Sequence, residues 1–244
     1  MEIPIFLYIF AAEIQNYKLM SRLKLNFSAS DSRFREVLNK RVNGFIQTLL
    51  GEGNKYHGTF SDYSVSSMQG AVWNEDDTYS FPNGGSVYVS SNNQEFINTI
   101  VVGLVSNKNL SIGDMHFIGF EVFDYKLRKE YDIVRAISPI LVSTPERRML
   151  TFKDEGFIDL LREKSIKKLI LAGVDERKAK SIKFELFHPE KARSVCVKIG
   201  DAVNIGSRVM LLVRGNKQAR ETLYTMGIGK CTGFGFGAVS VNNK

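Results

Sequence analysis

The order in which hydrophobic periods of two and of about 3.6 follow one another constrains this chain more than any single motif. Leu23, Leu25 and Phe27 alternate with Arg22, Lys24 and Asn26, the pattern of a half-buried strand. Ser30 and Asp31 then read as a helix cap, before a stripe of Phe34, Val37, Leu38, Val42, Phe45, Ile46 and Leu49 that stops at Gly51 and Gly53. Two β-rich segments follow, around 56–68 and 86–90, separated by a polar stretch containing Asn83-Gly84-Gly85. Residues 93–105 read as a second helix and 114–123 as a closing strand.

The same order then recurs. A strand over 134–142 and a helix over 154–171 precede a hairpin of 181–187 with 193–199 across His188-Pro189. A strand over 208–213, a helix over 217–226 and a strand over 236–241 complete it. Strand–helix–strand–strand–helix–strand, written twice, predicts an α+β protein of two tandem ferredoxin-like (βαββαβ) domains. The boundaries fall at 20–125 and 132–244, and the short charged link between them implies that the halves pack together. Residues 3–12, IPIFLYIFAA, are too short to span a bilayer and follow no basic segment. Residues 1–19 therefore read as an N-terminal extension or a mis-called start ahead of Met20, with a docked strand or helix as the alternative.

Lys and Arg number 33 against 26 Asp and Glu, a formal charge of +7, and the excess is local. Between Glu146 and Arg220 there are 18 basic and 10 acidic residues, so the remainder is close to neutral. Clustered positive charge favours a polyanionic partner, with a solvated helical face as the plain alternative. Lys164, Lys167 and Lys168 fit that alternative. The two cysteines, Cys196 and Cys231, form neither a C-x-x-C nor a His-rich cluster. A zinc site and a disulfide framework are not expected, and a reducing, cytoplasmic setting is.

Residues 227–237, GIGKCTGFGFG, carry five glycines in eleven positions, close to where the sequence ends. A P-loop would need a Gly-Lys-Ser/Thr tail that is missing. Gly227, Gly229 and Gly233 miss the dinucleotide-binding G-x-G-x-x-G spacing by one, and too few residues follow to build its unit. Thr232-Gly233-Phe234-Gly235-Phe236 approaches the aromatic strand of an RNA-recognition motif, but that strand is internal to its domain. One glycine would end a helix; five with Lys230 among them suggest a loop whose amides and lysine face a phosphate backbone.

GIG-KCTGF-GFG fits G-h-G-x-x-x-x-x-G-h-G, with h hydrophobic, and so resembles the C-terminal signature of the RAMP superfamily. It is most similar to the CRISPR repeat-processing endoribonuclease, the sixth Cas protein. Leu211 to Gly215, Tyr224-Thr225-Met226, Gly235 to Val239 and Ile137-Ser138-Pro139-Ile140 fit that family's second half. The resemblance spans about Met20 to Val241 and is specific over the last thirty residues. It implies an enzyme that cuts the CRISPR precursor once per repeat without metal or cofactor, by attack of a 2′-hydroxyl that leaves a 2′,3′-cyclic phosphate and a 5′-hydroxyl.

The family's catalytic histidine, where present, lies just past the first helix, and His57 stands there in Gly53-Asn54-Lys55-Tyr56-His57-Gly58. An imidazole can give or take a proton near neutrality. Lys55 is the candidate cation and Tyr56 a candidate hydroxyl, although alternation would turn Tyr56 to the opposite face. Residues 31–50 contain no tyrosine, so the Tyr that some relatives carry in that helix has no counterpart. For RNA binding the candidates are Gly227, Gly229, Lys230, Gly233, Gly235 and Gly237 in the loop, with Lys183, Arg193, Lys198 and Arg208. The expected partner is CRISPR repeat RNA; effector subunits and a second copy of the chain are the others, and no membrane is. A RAMP subunit that holds guide RNA without cutting, and an unrelated enzyme for a small nucleotide, are the competing readings.

Overall fold

A computed structural model describes residues 21–35, 37–56, 60–76, 78–123, 127–128 and 130–241. His57 and the extension over 1–19 lie outside the described residues. The N-terminal half is built on four strands, β1 (Ser21–Phe27), β2 (Tyr63–Val65), β3 (Gly85–Ser91) and β4 (Met115–Phe123). They lie in the order β2-β3-β1-β4, all antiparallel, with Ser111–Ile112 adding a short outer rung to β4. The alternation of β1 puts Leu23, Leu25 and Phe27 into the core at 2% exposure or less, under helices α1 (Asn39–Leu50) and α2 (Gln94–Ser106). The Asn93 side chain caps α2 by accepting from the Phe96 amide at 3.3 Å, satisfying an amide with no partner inside the helix.

The C-terminal half uses β5 (Tyr131–Ala136), β6 (Lys183–Phe187), β9 (Met210–Arg214) and β10 (Val239–Val241), in the order β6-β9-β5-β10. In each half the second, third, first and fourth strands thus lie side by side. A ribbon of β7 (Arg193–Ile199) and β8 (Ala202–Arg208) projects from this half, and α3 (Phe157–Leu171) and α4 (Lys217–Met226) pack on its core. Arg220 of α4 forms a fully buried ion pair with Asp132 of β5, and its guanidinium also donates to the carbonyls of Gly215 and Arg128. Among the described residues no helix is long and apolar enough to cross a membrane.

Two local expectations are corrected. The first helix begins at Asn39, because Ser30–Phe34 is a strand. Its Ser30 and Ser32 hydroxyls donate to the Asp114 carboxylate at 2.7 and 2.6 Å rather than capping a helix, and Phe34 packs on Tyr79 and Phe81. The expected hairpin of 181–187 with 193–199 does not form. β6 pairs with β9, while β7 folds back on β8 across Gly200. The run from Ala202 to Arg214 is two strands, broken at buried Val209, whose carbonyl accepts from the Ala136 amide at 2.9 Å.

The halves meet where the glycine-rich loop after α4 presses on α1 and β2. Gly233 lies against Tyr63 so closely that a Cβ would sit 2.9 Å from its ring, and one at Gly235 would sit 2.5 Å from the Asn39 amide. Asn39 donates to the Phe234 and Gly235 carbonyls at 3.1 and 3.3 Å, and Thr232 donates to the Tyr63 carbonyl at 3.1 Å. Gly237 has φ +63°, and a Cβ there would collide with the Ile228 carbonyl. Gly200 has φ +57° with nothing near, which separates backbone strain from collision. Gly200→Ala should cost about 1–2 kcal/mol, the left-handed penalty alone, and Gly237→Ala clearly more. Thermal unfolding of both variants checks this, and equal losses would contradict the close seating of the loop.

Candidate active site and nucleic-acid interface

Just past α1 one asparagine sets the direction of the next two side chains. Asn54 donates to the Gly51 carbonyl at 2.9 Å and to Gln47 Oε1 at 3.1 Å, and accepts from the Tyr56 amide at 3.1 Å. Lys55 is thereby turned outward, where it donates to Glu95 Oε2 at 2.5 Å. That hydrogen bond raises its pKa. Tyr56 is turned inward, edge-on to Phe96 at 5.0 Å and to Tyr63 at 6.4 Å between ring centres. Burial, followed by the Glu95 charge, raises its pKa. The two side chains diverge, as alternation leads one to expect.

Both border a cleft of about 490 Å³ at the junction of the halves. Asp62 and Asn92 come from the N-terminal half, and Leu171, Thr222 and Met226 from the C-terminal half. Lys168, expected on a solvated face, has a partly exposed stem and an enclosed ammonium. It donates to the Met226 carbonyl at 2.7 Å, the Gly227 carbonyl at 3.3 Å and Thr232 Oγ1 at 2.8 Å. Three acceptors on a helix C-terminus and its following loop are what a cation offsets best.

A second cleft, of about 480 Å³, opens on the other side of α4. Thr222 and Met226, one turn apart, face the first cleft; Tyr224, between them, faces the second. Arg22, Arg135 and Arg208 line it, with the rings of Tyr88 and Phe123. Arg22 is 2% exposed, held by Ser90 Oγ at 2.7 Å with its guanidinium 4.0 Å from the Tyr224 ring centre. Arg193 is the cross-strand partner of Arg208. Burial, then Arg193 and Arg135, lowers the Arg208 pKa. Among the described residues Arg135, Arg193 and Arg208 have no carboxylate partner. Like charges held together without counter-charge make a receptor for anions.

Of the sequence candidates, the structure brings Arg193 and Arg208 together and adds Arg22 and Arg135. Both additions are arginines on alternating strands, Arg22 of β1 and Arg135 of β5. Lys183 lies at the start of β6, the edge strand farthest from β10. Lys198 is exposed near the tip of the β7–β8 ribbon. Lys230 donates to Ser143 Oγ at 2.9 Å. Gly227, Gly233, Gly235 and Gly237 are buried, Gly229 is half-buried and Lys230 exposed. Among the described residues no group of three or more His, Cys, Asp or Glu side chains could hold a metal ion.

Burial pulls the Lys168 ammonium down to about 7, with Asp62 and Cys231 acting in the opposite sense. Between that value and the ordinary 10.5 the unfolded chain binds a proton that the folded chain has released, so stability should rise with pH across this window. Lys168→Met should flatten that rise. Urea unfolding of both proteins at pH 7 and pH 9.5 measures it; parallel pH profiles would show that Lys168 stays charged in the fold.

A family model described as CRISPR associated protein Cas6, C-terminal, matches residues 123–241. The CRISPR-associated endoribonuclease Cas6 1 of Methanocaldococcus jannaschii is 26% identical over 195 residues, covering 76% of this chain and 75% of that one. An endoribonuclease-like Cas6 protein of Pyrococcus furiosus is 28% identical over 165 residues, covering 64% and 67%. Among solved structures, that of a Cas6-related gene product from Pyrococcus furiosus superposes with a TM-score of 0.79 at 20% identity, covering 92% of this chain and 99% of that one. A RAMP protein binding different RNA substrates superposes at 0.76 and 19% identity, covering 91% and 100%. The family model over the C-terminal half, the curated relatives and the solved structures all make this chain similar to the Cas6 proteins of CRISPR systems.

Proposed function

We propose that this protein is the endoribonuclease that cuts CRISPR precursor RNA within its repeats, and that its halves are two ferredoxin-like domains over 20–125 and 132–244. The observation that carries the reading is the pair of clefts on either side of α4. One is lined by aromatic rings and by Arg135 and Arg208, which have no carboxylate partner among the described residues, a surface suited to single-stranded RNA. The other presents the turn that leads into His57. The Cas6 endoribonucleases among its relatives support the same activity.

The chemistry asked of this turn is a transesterification. The 2′-oxygen bonds to phosphorus and the bond from phosphorus to the 5′-oxygen breaks, leaving a 2′,3′-cyclic phosphate and a 5′-hydroxyl. A base takes the 2′-proton, an acid supplies one to the leaving oxygen, and a cation stabilises the phosphorane. None of these roles needs a metal ion. His57 is assigned the proton transfers. Lys55 is assigned the cation, since its pairing with Glu95 is exposed, screened by solvent and readily exchanged for phosphate. Tyr56, wedged against Phe96, holds the turn in place. Arg135, Arg193 and Arg208 contact the backbone, Arg22 holds the Tyr224 ring at the cleft wall, and Lys230 is the exposed cation of the glycine loop.

The Lys55–Glu95 pair also suits the competing reading, a guide-RNA-binding subunit that does not cut. The two readings part on one substitution. His57→Ala should slow single-turnover cleavage of labelled repeat RNA on the order of 100- to 10,000-fold, with affinity within about twofold of wild type. Cleavage at the wild-type rate would remove His57 from the mechanism.

A further inference from the structure

Two large apolar side chains stand exposed in the cleft beside the catalytic turn, one from each half. Phe60 is 42% exposed and Leu171, at the end of α3, is 70% exposed. Single exposed apolar residues are ordinary on a protein surface. Here they come from different halves and border one space of about 490 Å³, large enough for a planar heterocycle.

Lys55 at the rim suits phosphate, whereas the other polar groups of the cleft, Asp62, Asn92 and Asn93, suit a base edge. Asp62 would repel a phosphate, but its oxygens accept from ring and exocyclic N–H groups. Asn93 Nδ2 donates to Asp62 Oδ2 at 3.3 Å while Asn93 Oδ1 caps α2, so the carboxylate is held by a residue that is itself held. Asn92 Oδ1 accepts from the Thr225 hydroxyl at 2.7 Å, which leaves its NH₂ as the donor free to face the cleft. A carboxylate with two acceptor oxygens beside one amide donor complements an edge with two adjacent donors and one acceptor. Guanine presents that set in N1–H, N2–H₂ and O6. Adenine, cytosine and uracil each lack the pair of adjacent donors.

We propose that this cleft is a guanine pocket: Phe60 and Leu171 cover the faces of one unstacked base of the RNA, Asp62 takes its N1–H and N2–H₂, and the Asn92 amide donates to O6. The pocket rests on the reading of the protein as one that binds repeat RNA, and it sets which nucleotide lies next to the Lys55–Tyr56 turn. Recognition of splayed-out bases by stacking and edge contacts is the general mode for single-stranded RNA.

The test is an inosine scan. Each guanosine in the repeat RNA of the host's own CRISPR array is replaced singly by inosine, which lacks the N2 amino group. Binding and cleavage are then measured separately for wild type, Asp62→Asn and Leu171→Ala. In wild type one position should lose about tenfold in affinity. Asp62→Asn should cut that loss to under about twofold. Leu171→Ala, a change at an exposed side chain that leaves folding intact, should weaken binding of the unmodified RNA about fivefold, the scale of lost apolar contact on one face of the base. A scan with no sensitive position, or a sensitivity that persists in Asp62→Asn, overturns the pocket. Binding and cleavage fail independently. Inosine-sensitive binding without cleavage keeps the pocket and removes the endoribonuclease reading, whereas cleavage indifferent to inosine does the reverse.

Discussion

The contact on which the rest depends is the seating of the glycine-rich loop between the halves. Gly233 on the Tyr63 ring and Gly235 on the Asn39 amide allow backbone to approach side chain more closely than any Cβ would permit. The ends of that contact are tied by polar groups from three elements: Asn39 of α1, Thr232 of the loop and Lys168 of α3. Since the walls of both clefts are shared between the halves, their shape follows from this seating. The signature glycines are thus explained by packing first. Of the loop's residues Lys230 and Cys231 are exposed.

Helix α4 turns that seating into function. Arg220 fixes it to β5 through a buried ion pair, a geometry in which breaking one partner leaves an uncompensated charge. Ser64 donates to the Thr225 carbonyl at 2.9 Å and so ties its last turn to β2. Tyr224 then looks into the arginine cleft, and Thr222 and Met226 into the cleft beside Lys55. A chain of RNA bound in the first can reach the second by passing one helix. The charge asymmetry follows the same division, with arginines lacking carboxylate partners on one side and Asp62 with Glu95 on the other.

Much of this was legible from periodicity. The alternation of β1 and the element order in each half anticipate the strand order, and Asn93 marks the start of α2 almost to the residue. Pairing was less legible, because it is decided by distant strands. β6 prefers β9, and nothing local to His188-Pro189 announces that β7 will close on β8 instead. Ser30 and Asp31 misled for a similar reason, since the serine hydroxyls find Asp114, more than eighty residues away. Lys168 looked like one of three solvated lysines, and only the position of the α4 C-terminus makes it an enclosed amine with three acceptors. The divergence of Lys55 and Tyr56 was visible in alternation, whereas the gathering of Arg22, Arg135 and Arg208 needed both halves in place.

Mapping the ends of the products tests the central claim most directly. Wild-type protein incubated in EDTA with repeat RNA from its host's CRISPR array should cut once within the repeat, leaving a 5′-hydroxyl on one fragment and a 2′,3′-cyclic phosphate on the other. RNA that is bound tightly but stays intact, or fragments ending in 5′-phosphate and 3′-hydroxyl, would contradict it.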